Sequence, residues 1–139
     1  MSGSVAIDCV RDGRVLESIE VKASSEPPYE LAVRRDGGDE VVYPGDNLFA
    51  CLINLRRDLE RDGILLCCQG ARRDVINSGL QAQMTGGRFV YTSNALSRTV
   101  NEETVDILAP ARPDEVVTVA EQRAAIFDFF GISDRSGEG

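Results

Sequence analysis

Apolar and polar residues alternate along the first part of the chain. Residues 4–10 (SVAIDCV) and 14–23 (RVLESIEVKA) partly follow the two-residue period of a strand with one buried face. Arg11-Asp12-Gly13 lies between them, and Asp-Gly is a tight-turn pair, so the pattern predicts an antiparallel hairpin. Pro27-Pro28 ends it, because consecutive prolines cannot continue a hydrogen-bonded ladder. A second, shorter hairpin is expected from residues 29–34 and 40–43 around Asp36-Gly37-Gly38-Asp39, closed by Pro44-Gly45 and suited to a sheet edge.

The period then changes. Leu48, Leu52, Leu55 and Leu59 recur at helical spacing, with Phe49 and Ile53 widening the stripe. Asp46 or Asn47 supplies the cap, and the helix runs through about Asp62 to a stop at Gly63. Arg56, Arg57, Glu60 and Arg61 read as its solvated face. Residues 64–69 (ILLCCQ) form a nearly continuous apolar run, the mark of a central strand covered on both faces, and leave room for one parallel crossover. A short helix fits residues 74–84, interrupted at Ser78-Gly79. Residues 88–92 resume as a strand with Phe89 and Tyr91 on one side and Val90 on the other. Residues 105–108 make a further short strand after polar Asn101-Glu102-Glu103. Thr118-Val119-Ala120-Glu121 is a capping box opening a helix whose apolar face is Ala125, Ile126, Phe129 and Phe130, with Phe127 off that stripe. Gly131 followed by Ile132 stops it.

These elements predict an α+β fold: one domain over residues 1–132 and a disordered tail over 133–139. Its sheet is expected to be mainly antiparallel, mixed if the crossover forms, with about six to seven strands and two main helices packed on it.

Composition narrows the chemistry. The 139 residues are 42% hydrophobic and 27% charged, ordinary for a soluble protein that buries its own core. No apolar run approaches the roughly 18 residues of a membrane helix, and the first residues lack the basic-then-apolar form of a signal peptide. A cytoplasmic location without membrane association is the expectation. Histidine is absent, which removes His-based acid/base catalysis, His-activated nucleophiles and His-ligated metals. Lys22 is the sole lysine. Cys9, Cys51, Cys67 and Cys68 match no zinc or disulfide spacing and read as small core residues. Cys68 precedes Arg72 by four positions, the one arrangement that would favour a reactive thiolate. No metal, cofactor or catalytic residue is assigned, and the reading leans against an enzyme.

The net charge is −8, yet arginines cluster at Arg34-Arg35, Arg56-Arg57 with Arg61, and Arg72-Arg73. Arginine makes up fourteen of the fifteen basic residues, which reflects either bidentate anion recognition or the codon bias of a GC-rich genome. Arg72, Arg73 and Asp74 follow Gly70 at the carboxyl end of the presumed central strand, where ligands often sit. They form either a clamp for an anion or structural ion pairs with one another and with Asp58 or Glu60. Gly86-Gly87 before Arg88 is a turn entering a strand or an approach for a phosphate, without the residues of a Walker loop. The candidate partner- or ligand-binding residues are therefore Arg72, Arg73, Asp74, Ser78, Gly86, Gly87 and Arg88.

The run through residues 55–91, with GARRDV, a following Ser78-Gly79, Met84 and Gly86-Gly87-Arg88, resembles small uncharacterised bacterial proteins. Residues 116–122 (VVTVAEQ) extend that resemblance, which covers about half the chain and implies a discrete domain with a recurring loop and no known activity. The leading expectation is a small acidic protein–protein interaction module, immunity-like, antitoxin-like or regulatory, that binds or neutralises a partner protein, a basic one being in keeping with its charge. The alternative is a binding or enzymatic domain for an anionic small molecule that uses the arginine loop of residues 70–88. A structural subunit comes next, and nucleic-acid binding ranks last against the net charge.

Overall fold

A computed structural model describes residues 3–77, 83–94 and 96–131. Among them are eight strands, two α-helices and a further helical stretch over residues 83–85: β1 (Ser4–Arg11), β2 (Arg14–Ala23), β3 (Glu30–Arg34), β4 (Glu40–Pro44), α1 (Leu48–Glu60), β5 (Leu65–Leu66), β6 (Val75–Ile76), β7 (Phe89–Asn94), β8 (Thr99–Asp106) and α2 (Val119–Phe129). The architecture is α+β. It holds two sheets where one was expected, ordered β4-β3-β2-β1-β5 and β6-β7-β8, and every strand pair is antiparallel.

Both early hairpins form as the alternation predicts. Asp12 and Gly13 have φ of 53° and 78°, the left-handed pair of a type I′ turn, which matches the twist of the flanking strands. Ile7, Ile19, Val21, Leu31 and Val33 bury the inner face of the larger sheet. The register shifts between Cys9 and Val10, and both of these neighbours are buried. The second hairpin ends the sheet, with β4 on its edge.

Helix α1 packs its leucine stripe against this sheet, with Leu52, Leu55 and Leu59 all buried. Asn47, not Asp46, is the cap: its side chain accepts from Ala50 N–H at 2.9 Å. At the other end Ile64 N–H donates to Leu59 O and Gly63 N–H to Glu60 O, a Schellman stop with Gly63 at φ +74°. Arg56 departs from the expected solvated face, being 1% exposed.

The expected central strand over residues 64–69 is the largest correction. Only Leu65–Leu66 are strand, at the edge of the sheet and antiparallel to β1, so no parallel crossover exists there. The run is apolar because Ile64, Leu66, Cys67 and Cys68 are buried, but it changes partner halfway. Beyond Leu66 it joins the segment after β8: Gln69 N–H donates to Ala109 O, Gly70 N–H to Ile107 O, and Ala111 N–H to Cys67 O. Gly70 is the weld, since a Cβ there would stand 2.5 Å from Leu52 Cδ2 and 2.9 Å from Ile107 Cβ.

In the helix expected over residues 74–84, Val75–Ile76 are instead strand β6 and residues 83–84 are helical; the Ser78-Gly79 break lies outside the described residues. Strand β7 alternates as expected, with Val90 and Thr92 buried. Strand β8 begins at Thr99 and runs through the polar Asn101-Glu102-Glu103, because pairing with β7 satisfies its backbone while its side chains face water.

The capping box of α2 forms in full: Thr118 N–H donates to Glu121 Oε1 at 2.9 Å and Glu121 N–H to Thr118 Oγ1 at 3.1 Å. The expected apolar face of this helix is not its buried face. Val119 and Gln122 are buried, while Ala125, Ile126, Phe127 and Phe129 are half-buried and Phe130 is 51% exposed. Ile132 and the expected tail lie outside the described residues. No helix among the described residues is long and apolar enough to cross a membrane.

Candidate binding surfaces

The arginine loop folds back on the protein. Arg72 Nη2 donates to Asp74 Oδ2 at 2.6 Å and Arg72 Nη1 to Gln69 Oε1 at 2.6 Å, and its backbone bridges to Val116. Arg73 is exposed. Arg88 donates through Nε and Nη2 to the two oxygens of Asp106, at 2.6 and 3.1 Å, a bidentate fork. Gly86 and Gly87 are buried at φ +66° and +82°. A Cβ on Gly86 would meet the Tyr29 ring at 2.7 Å, and one on Gly87 would meet Asn47 Oδ1 at 2.9 Å. Gly86 O also accepts from Leu48 N–H at 2.6 Å, so this turn is docked on the start of α1. Asp74 O accepts from Ser93 N–H at the far end of β7, roughly 16 Å of strand away from Arg88. The structure thus gathers Arg72 with Asp74 and places Gly86, Gly87 and Arg88 elsewhere. Ser78 lies outside the described residues.

A buried polar cluster was missed in the sequence. Arg56 Nη1 donates to Gln122 Oε1 at 2.6 Å and Arg56 Nη2 to Val117 O at 2.8 Å, while its Nε stands 3.9 Å from Glu60 Oε2. Gln122 Nε2 donates to Gly70 O at 2.8 Å and Arg72 O at 2.7 Å. Both Glu60 oxygens accept from Val119 N–H, at 3.2 and 3.1 Å, so this carboxylate sits on the first turn of α2. Burial lowers the Arg56 pKa and raises that of Glu60, the direction each takes when its charged form leaves water. The cluster pins α1, the Gly70 turn and α2 together. Its signal was present: Arg56 falls four residues after Leu52 and three before Leu59, inside the apolar stripe.

The thiols are interior groups. Burial pushes Cys9 and Cys68 up to about 12 and Cys51 up to about 11, and raises Cys67 as well. Cys68 lies close enough to feel the Arg56 charge, which lowers its pKa less than burial raises it. None is a thiolate at neutral pH. Among the described residues, no group of three or more Cys, Asp or Glu side chains is placed to hold a metal ion.

Two features of the surface remain. Edge strand β4 shows Val41 and Val42, 49% and 44% exposed, next to exposed Asp36, Asp39 and Glu40. Between α1 and α2 lies an open cleft of about 580 Å³. Phe49 and Ile53 line it from α1, and Val119, Ile126 and Phe127 from α2. Arg57 and Arg123 stand at its rim, with the Arg123 guanidinium 4.9 Å from the centre of the Phe127 ring. No protein-family model matches this chain, and no curated protein matches it.

Proposed function

We propose that the protein is a small acidic interaction module that binds or neutralises one partner protein, in the manner of an immunity or antitoxin protein or a regulatory subunit. The observation that carries this reading is the β4 edge. It ends the larger sheet and exposes two adjacent valines beside three carboxylates. A free edge with apolar side chains is a template for an added strand, and its acidic flank favours and speeds the approach of a basic partner. The groups that chemistry would need are engaged internally: Arg72 with Asp74, Arg88 with Asp106, and all four thiols in the core.

The test is affinity capture of the tagged protein from its native cell extract. Wild type is compared with Val41→Lys/Val42→Lys, which places charge on the edge at exposed positions, and with Arg72→Ala/Arg73→Ala. The expected result is one stoichiometric partner, kept by the arginine variant and lost by the valine variant. The opposite pattern would move the surface to the arginine loop, and capture of nothing by any form would overturn the reading.

A further inference from the structure

We infer that the cleft between α1 and α2 is a second binding site, for a small amphipathic carboxylate whose head lies at Arg57 and Arg123 and whose apolar body lies on Phe49, Ile53, Ile126 and Phe127. This goes beyond the interaction reading and uses a different face of the molecule. Three observations carry it. The first is shape: about 580 Å³ lies within the roughly 300–1,000 Å³ of small-molecule sites.

Polarity is the second. The floor is apolar, and half-buried Ile53, Ile126 and Phe127 still have surface to lose to a ligand. The third is charge placement along the cleft. Helix α2 starts beside Glu60, near the end of α1, through the bonds from Val119 N–H. Arg57 and Arg123 therefore occupy the half of the cleft toward the end of α1, while Asp46 lines it beyond the start of α1. A carboxylate is attracted at one end and repelled at the other, which fixes the direction of an elongated ligand. Arg123 lies over Phe127, and the charge of Arg57 also acts on Glu60. Both guanidiniums are exposed at the rim.

The probes are 8-anilinonaphthalene-1-sulfonate, read by fluorescence, and decanoate as competitor, with decanol as its uncharged counterpart. The expected result is one bound dye per chain, displaced by decanoate and about tenfold less well by decanol, the loss of one charge-assisted contact. Arg57→Gln/Arg123→Gln should weaken decanoate by about tenfold or more while the unfolding midpoint stays unchanged. Arg57→Lys/Arg123→Lys should restore most of the affinity. Val41→Lys/Val42→Lys, which alters the proposed partner surface, should bind decanoate as wild type does. Equal displacement by decanol, or equal affinity in the glutamine variant, would overturn the assignment. So would dye displaced by an acidic amphipathic helical peptide and not by decanoate, which would make the cleft a protein-docking groove.

Discussion

Replacing Arg56 by methionine removes the centre of the buried cluster while keeping most of its length. The guanidinium makes two close hydrogen bonds, to Gln122 Oε1 at 2.6 Å and Val117 O at 2.8 Å. A hydrogen bond to a charged group contributes about 1.5–3 kcal/mol, so the pair represents roughly 3–6 kcal/mol. The variant no longer desolvates a cation, which offsets part of that loss. It also takes from the half-buried Glu60, at the end of α1, the larger of the two arginine charges that favour its carboxylate, Arg57 supplying the other. We expect a destabilisation of about 3–5 kcal/mol, at constant denaturant slope, in urea unfolding followed by circular dichroism. The double variant Arg56→Met/Gln122→Met should lose less than the sum of the single variants by about 1–3 kcal/mol, because the two side chains serve one network. A single-variant loss under about 0.5 kcal/mol, or strict additivity, would show that the cluster does not hold α2 in place.

Three further outcomes follow from the same geometry. Glu60 is raised above its ordinary value of 4.5 by burial, so its contribution is fully present below that pH and is lost as pH rises through the raised value. The stability of wild type relative to Glu60→Gln should therefore fall with rising pH just above 4.5 in urea titrations, and a rise would contradict the assignment. Iodoacetamide at pH 8 should leave all four thiols unlabelled until the protein is unfolded, read by intact mass; rapid labelling of the native chain would refute their burial. Gly86→Ala forces a left-handed φ of +66° on alanine and drives its Cβ to within 2.7 Å of the Tyr29 ring. It should cost about 1–3 kcal/mol or more by thermal unfolding, and a neutral result would mean that the turn is not docked on Tyr29.

Where one physical pattern decides an element, the sequence was readable. The Asp12-Gly13 turn, the leucine stripe of α1, its Gly63 stop and the Thr118 capping box are local devices, and each lies where its residues indicate. Residues 64–69 misled because apolar character reports burial and does not report which segments bury it. Strand β8 was hidden for the converse reason: its Asn101, Glu102 and Glu103 side chains face solvent, so pairing leaves no apolar trace. At the candidate site, structural ion pairing, one of the two readings open for Arg72 and Asp74, is the geometry found. Neither the Arg88–Asp106 fork nor the bond from Arg56 to Gln122 can be read locally, since their partners are 18 and 66 residues apart. The half-buried aromatic side of α2 was legible only as an apolar helix face, and such a face predicts burial whether or not the chain itself supplies the cover.

The long reach between Arg56 and Gln122 also bears on the order in which the molecule is made. A ribosome delivers the N-terminal residues first, so the larger sheet and α1 emerge before any residue that neutralises or hydrogen-bonds the inner guanidinium from α2. Until Val117 and Gln122 arrive, Arg56 of a nascent chain stays in water on the side of α1 that the last helix later covers, while the leucine stripe can already pack on the larger sheet. Closure of that side therefore waits for the last helix. A translation product stopped before α2 lacks the Gln122 side chain that joins Arg56 to the Gly70 and Arg72 carbonyls, so that side of the molecule is the last to be completed.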